Sequence, residues 1–227
     1  MNPPVVVTIA GTDSSGGAGI AADLATFAAL GVHGACVVTA VTAQDTTGVR
    51  AIHPVPYDVV AAQLDAVLED LDPVAVKTGM LATPSVVRLV AERCADRLLV
   101  VDPVLVATSG AVLGSAEVVA AYREHLVPVA TVATPNEDEF VALDRPDHAG
   151  VIVTRGGPVA TTNDHGTGCT YSSALAAHLA HGADVATAAA RAASYVTAQL
   201  TLGKDWTLGR GRGPVAHIHA PTQGEIA

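Results

Sequence analysis

Cys169 ends the stretch HGTGC, residues 165–169, and after Thr170 the chain runs into YSSALAAHLA, a helical pattern. Glycines at the mouth of a helix let backbone N–H groups crowd around an anion, and the helix dipole adds to the attraction. A thiol at such a place is expected to have a lowered pKa and to serve as a base or partial thiolate. A lone cysteine is more often an inert, buried small residue, but a position inside a Gly-Thr-Gly turn favours chemistry. Gly166, Thr167 and Gly168 are then candidates for an anion site, with Cys169 as the base. Two scattered acids extend the pattern: Asp102 in VVDPV and Glu139 in TPNEDEF, each following a run that reads as a strand. Carboxylates in a phosphoryl-transfer site hold Mg²⁺ directly or through water. Taken alone, Asp102 before Pro103 reads equally well as the start of a loop. Together with the anion site, the two acids point to a Mg²⁺–nucleotide kinase.

A second glycine-rich stretch, GTDSSGGAGIAAD over residues 11–23, follows the apolar run 5–10. It is not a P-loop, because Gly16 is followed by Gly17 and Ala18 rather than Lys and Ser/Thr. Nor is it the dinucleotide fingerprint, since Ala22 stands where the third glycine belongs. A tight turn capping a helix would account for the glycines. Asp23, one turn beyond Gly19, is expected in addition to reach back over the loop toward a ligand.

These residues need elements to hold them. Short Val-rich runs alternate with longer amphipathic Ala/Leu-rich runs, the pattern of a parallel sheet covered by helices. Strands are predicted over residues 5–10, 35–40, 75–78, 98–101, 130–133 and 151–154. Helices are predicted over 19–30, 57–71, 84–94, 115–126, 168–180 and 184–202. The predicted strand ends carry polar and glycine residues, and in an open parallel sheet ligands lie beyond those carboxyl ends. The candidate residues should therefore meet in one cleft.

Composition narrows the class. Half of the 227 residues are apolar and only 3% aromatic, so the core is expected to be aliphatic. A net charge of −10 without a Lys/Arg cluster argues against a nucleic-acid surface, and Arg210–Arg212 is too short to make one. Three widely spaced cysteines without CxxC pairing predict neither a disulfide framework nor a zinc site, and hence a reducing, cytoplasmic setting. No apolar run has the length of a membrane span. His217 and His219 form an H-x-H that reads as surface tail.

The segments TIAGTDSSGGAGIAADLATFAALGVHGACVVTAVTAQDTTGV, VKTGML, VVDPVLVATSG, TPNEDE, HGTGCTYSSALAAHLAHG and GRGRGPVAHIH occur in this order over nearly the whole chain. In this the chain resembles the hydroxymethylpyrimidine/phosphomethylpyrimidine kinases of thiamin biosynthesis, in the ribokinase-like superfamily. The resemblance implies a single-domain, three-layer α/β/α sandwich with a mostly parallel sheet, ATP and Mg²⁺ as cofactors, and a homodimer. It places Gly11, Ala18, Asp23, Gln44, Met80, Ala107 and Cys169 around the pyrimidine. A Gln amide offers donor and acceptor to an aminopyrimidine edge, and a Met thioether packs on the ring. Asn136 and Glu139 match an Asn-x-x-Glu motif that organises Mg²⁺ and phosphate. Residues 166–169 match the anion hole, with Cys169 as base for the substrate hydroxyl. Thr154 and Arg155 are placed at the nucleotide, Arg155 where the family often has Lys, so that one phosphate contact is altered. Pyridoxal kinase and a non-catalytic pyrimidine-binding protein are the rival readings.

The chain is shorter than the family pattern at two places. Residues 141–150 stand where the family carries a full helix, and 158–162 where it has a strand and a flap over the nucleotide. Either both segments have been lost, or the polypeptide holds further residues there and is heavier than 22.8 kDa. The second is the expectation, because both places are where a mobile lid and its support would lie.

Overall fold

The computed structural model describes residues 2–107, 110–111 and 113–218. Its centre is a six-stranded sheet built from β1 (Val5–Gly11), β2 (His33–Asp45), β3 (Gly48–Pro54), β4 (Ala75–Thr78), β5 (Leu98–Val101) and β6 (Val132–Ala133) in the spatial order β3-β2-β1-β4-β5-β6. All neighbours are parallel except β2 and β3, which form an antiparallel hairpin. Among the described residues seven α-helices connect and cover the sheet: α1 (Gly19–Ala29), α2 (Tyr57–Leu71), α3 (Pro84–Cys94), α4 (Ala116–Ala121), α5 (Glu137–Ala142), α6 (Thr167–Ala180) and α7 (Val185–Gly203).

Alternation along β1 shows why the sheet is covered on both sides. Val6 and Val7 are both fully buried but point to opposite faces. Val6 packs with Phe27 of α1, Leu175 and Ala177 of α6, and Ala188 and Ala192 of α7. Val7 packs with Val60 and Leu64 of α2, Val87 and Val90 of α3, and Tyr122. The result is the three-layer sandwich expected from the alternating pattern, with a core that is almost wholly aliphatic. Local chemistry sets the helix starts. Thr83 accepts a hydrogen bond from the Val86 N–H with Pro84 in the first turn, and Asp184 accepts one from the Thr187 N–H.

The structure departs from the predicted elements in four places. β2 runs well beyond residue 40, and its partner β3 was not predicted because residues 50–54 are exposed and show no apolar alternation. The predicted helix 115–126 is instead α4, capped by Ser115, followed by a single wider turn over Tyr122–Leu126. The predicted strand 151–154 is reduced to isolated parallel bridges, Ala133 with Val151 and Asn136 with Thr154. The six-residue α5 begins with a capping box in which the Asn136 side chain accepts from the Glu139 N–H and Glu139 accepts from the Asn136 N–H. No helix among the described residues is long and apolar enough to cross a membrane. His219 lies outside the described residues.

Candidate active site

The carboxyl ends of β1, β2, β4, β5 and β6 open into one cavity of ≈ 670 Å³. Gly11 enters it from the end of β1, Ala18 from the N-cap of α1, Gln44 from the end of β2, and Met80 from the turn after β4. Asp102 and Ala107 follow β5, Asn136 and Glu139 begin α5, and Thr154 and Arg155 follow the bridge to β6. Gly166, Thr167, Gly168 and Cys169 close the ring at the start of α6. A methyl group at Gly11 would meet the Met80 Cε, and that thioether end would have to shift.

Two glycine loops meet at the centre. Gly166 caps α6 with φ of 85°, a left-handed conformation that favours glycine, and a Cβ there would strike the Gly17 carbonyl oxygen. The loop before α1 and the turn before α6 are therefore seated directly on one another. The first-turn amides of α6 have no partners within the helix, so the cavity receives the donor end of a fourteen-residue helix.

Asp23 is not where the sequence placed it. Its side chain is fully buried beneath the loop rather than facing the cavity. It accepts hydrogen bonds from Thr8 Oγ1 at 2.6 Å, Ser173 Oγ at 2.7 Å, and Lys77 Nζ at 2.8 and 2.9 Å. One turn of helix from Gly19 gave proximity to the loop, but the buried ammonium of Lys77 turns the carboxylate inward. Burial works against the charge on Lys77, yet Asp23, Cys169 and Asp102 together hold its pKa above the usual lysine range. Lys77 is thus a residue the sequence reading missed. Its signal was a lysine inside the otherwise apolar strand AVKT.

The expected lowering of the Cys169 pKa is also overturned. Burial pushes the thiol up to about 12, and the carboxylates of Asp23 and Asp102 add to the rise. Lys77 and a hydrogen bond from the Gly19 N–H oppose it without cancelling it. The favourable amides at the helix start do not offset the cost of removing the thiolate from water.

Asp102 and Glu139 are both buried. Ser172 Oγ donates to Asp102 at 3.0 Å, while Glu139 accepts from the backbone N–H of Leu105 at 3.3 Å and of Asn136 at 2.9 Å. Burial raises Asp102 to about 6, with Lys77 opposing. Burial and the neighbouring Asp102 raise Glu139 to about 7. Two desolvated carboxyls lining one cavity, the charge of Asp102 raising the pKa of Glu139, fit a divalent cation. Mg²⁺ is commonly held by one or two carboxylates together with substrate phosphates, and among the described residues no group of three or more His, Cys, Asp or Glu side chains forms a closed cage.

A pH dependence follows. The folded-state values lie above the ordinary 3.8 and 4.5, so this contribution to stability is complete below those values and is lost as pH rises through about 6 and about 7. In cation-free buffer the melting temperature is expected to fall across that window. A flat profile would show that the pair carries no such burden.

Asp13 and His165 also line the cavity, and neither was assigned a role from sequence. Asp13 accepts from the Ser15 N–H, Ser15 Oγ and Ala18 N–H, and lies 2.7 Å from His165 Nε2. Burial opposes ionisation, but His165 and Ser15 hold the Asp13 carboxyl below its ordinary range. The signal for Asp13 was the Asp-Ser-Ser order, which makes a side-chain turn. The Arg155 guanidinium pairs with Glu137 at 2.9 Å on an exposed surface.

The phosphomethylpyrimidine kinase family profile matches residues 13–149 and, in a second segment, 141–216. The chain belongs to that family. The hydroxymethylpyrimidine/phosphomethylpyrimidine kinase of Rhizobium meliloti is 41% identical over 258 residues, covering 95% of this chain and 97% of the relative. Among solved structures, the ADP complex of Bacillus subtilis pyridoxal kinase superposes with a TM-score of 0.84 at 32% identity, covering 95% of this chain and 97% of that one. The phosphomethylpyrimidine kinase of Clostridium difficile superposes with a TM-score of 0.74 at 33% identity, covering 86% and 98%. These neighbours share the ribokinase-like fold. The alignment to the Rhizobium kinase is longer than the 227 residues of this chain, so that relative carries residues with no counterpart here. The family profile breaks at 141–149, one of the two places where the chain falls short of the family pattern.

Proposed function

We propose that the protein phosphorylates the hydroxymethyl group of 4-amino-5-hydroxymethyl-2-methylpyrimidine with ATP, and then the monophosphate to the diphosphate, in thiamin biosynthesis. The observation that carries this reading is one cavity lined both by a cysteine at a helix N-terminus and by two buried carboxylates, in a chain of this kinase family. The pyrimidine lies among Gly11, Ala18, Gln44, Met80 and Ala107, and the triphosphate is directed toward residues 166–169, Asn136, Thr154 and Arg155. Asp102 and Glu139 would hold Mg²⁺, which supplies neutralising charge to the phosphates when bound. The amides of the α6 first turn stabilise negative charge on the transferred phosphoryl group. Cys169 is a thiol in the free protein; it first gives its own proton to solvent, and as a thiolate it then takes the hydroxyl proton as the hydroxyl oxygen attacks the γ-phosphate. Lys77 and the Gly19 N–H favour that form.

The family resemblance extends this reading to a homodimer. The structural likeness to pyridoxal kinase supports a second reading, in which the acceptor is pyridoxal. Phosphate transfer from ATP to each heterocycle, with mono- and diphosphate products resolved by mass, separates the two. Transfer to neither would leave the non-catalytic pyrimidine-binding reading. Glu139→Gln is expected to raise the Mg²⁺ concentration needed for half-maximal rate, because it removes charge from the cation's surroundings. An unchanged Mg²⁺ titration would refute the assignment of Glu139.

A further inference from the structure

Gln44 and His165 face each other across the acceptor end of the cavity, and both line it. Gln44 Nε2 stands 3.3 Å from His165 Nε2, the same ring nitrogen that lies 2.7 Å from Asp13 Oδ2. Asp13 is an acceptor toward every other neighbour: its Oδ1 takes the Ser15 N–H at 2.9 Å and Ser15 Oγ at 2.8 Å, and its Oδ2 takes the Ala18 N–H at 2.9 Å. A carboxylate in that setting offers only lone pairs, so His165 Nε2 must carry the hydrogen between them. This holds whether the ring is neutral or protonated. An Nε2 that already donates has no lone pair for an amide N–H, and two donors would confront each other at 3.3 Å.

The two ends of a glutamine amide have nearly the same shape, and the hydrogen-bond network decides which is which. Turning the Gln44 amide by half a rotation places its oxygen against His165 Nε2–H, which is then shared between Asp13 and Gln44. The Gln44 main chain cannot move to escape the choice. Its N–H donates to Ser14 Oγ at 2.8 Å and its carbonyl accepts from the same hydroxyl at 2.6 Å. One loop thus supplies both the clamp on the Gln44 backbone and the carboxylate that orders its side chain.

We propose that Asp13, acting through His165, fixes the Gln44 amide so that its NH₂ group points into the acceptor pocket. The pocket then reads a lone pair on the ligand, the ring nitrogen of a pyrimidine, rather than the hydrogens of its exocyclic amino group. Asp13 and His165 are positioning residues for specificity, and neither need touch the ligand. The inference deepens the proposed function and rests on it for the identity of the heterocycle, though not for the orientation of the amide.

Two measurements test it. Gln44→Glu, at a half-buried position on the end of β2, keeps an oxygen where the ligand is read and removes the N–H donor. Calorimetric titration with 4-amino-5-hydroxymethyl-2-methylpyrimidine at neutral pH is expected to show affinity reduced about 10- to 100-fold. Affinity equal to or tighter than wild type would mean that the carbonyl faces the ligand, and would overturn the proposal. Nitrogen-15 NMR of the histidine rings in the ligand-free protein, with His165 assigned by its loss in His165→Gln, is expected to show a protonated Nε2. An Nδ1–H tautomer would overturn the proposal independently of any ligand. If the wild-type protein binds no pyrimidine, the proposed acceptor falls while the NMR measurement still decides the orientation.

Discussion

Cys169→Ser is expected to lower kcat by about 10²–10⁴, the usual range for a lost acid–base group, while pyrimidine affinity stays within a few-fold. Serine preserves the shape of the side chain at the start of α6, so the amides of residues 166–169 and the walls of the pocket should persist. What changes is the ionisation. With burial already pushing the thiol up to about 12, a hydroxyl in the same place is a weaker acid still and gives up its proton far less readily. Steady-state rates and equilibrium binding measured side by side separate chemistry from recognition. A variant with the wild-type kcat would remove Cys169 from the mechanism and leave catalysis to the anion site and the carboxylates.

Lys77→Met should destabilise the fold by about 3–5 kcal/mol, because removing one partner leaves the other as an uncompensated buried charge. Lys77 and Asp23 are both inaccessible to solvent, with Nζ 2.8 Å from the carboxylate. The methionine fills most of the same volume, so the loss is electrostatic rather than a cavity. Chemical denaturation measures it directly, and adding Asp23→Asn to Lys77→Met should recover much of the stability by removing the orphaned charge. A loss below about 1 kcal/mol, the range of exposed pairs, would mean that water reaches this pair in solution.

The strands and helices that were legible share a property. β4 and β5 are buried on both faces and read as short apolar runs, and α2 and α3 occupy the predicted residues. The hairpin strand β3 escaped because its side chains are exposed and nothing enforces alternation, and α5 escaped because six residues are too few for helical periodicity to register. In the cleft, residues at the ends of parallel strands could be found because topology alone brings those ends together. Asp23 and Lys77 could not be paired in advance, since 54 positions separate them and no local pattern links them. The Cys169 thiol was misjudged for a related reason. Its helix is visible in the sequence, but the two carboxylates packed around it come from other parts of the chain.

The contact between Gly17 and Gly166 has a consequence for how such an enzyme changes over time. The loop before α1 and the turn before α6, proposed to hold the acceptor and the transferred phosphoryl group, share one boundary with no side chain between them. Any bias that occupancy of one side places on the other is returned by the same factor, since coupling between two binding sites is reciprocal. A substitution that reshapes this boundary for a new acceptor also displaces the turn on which transfer depends.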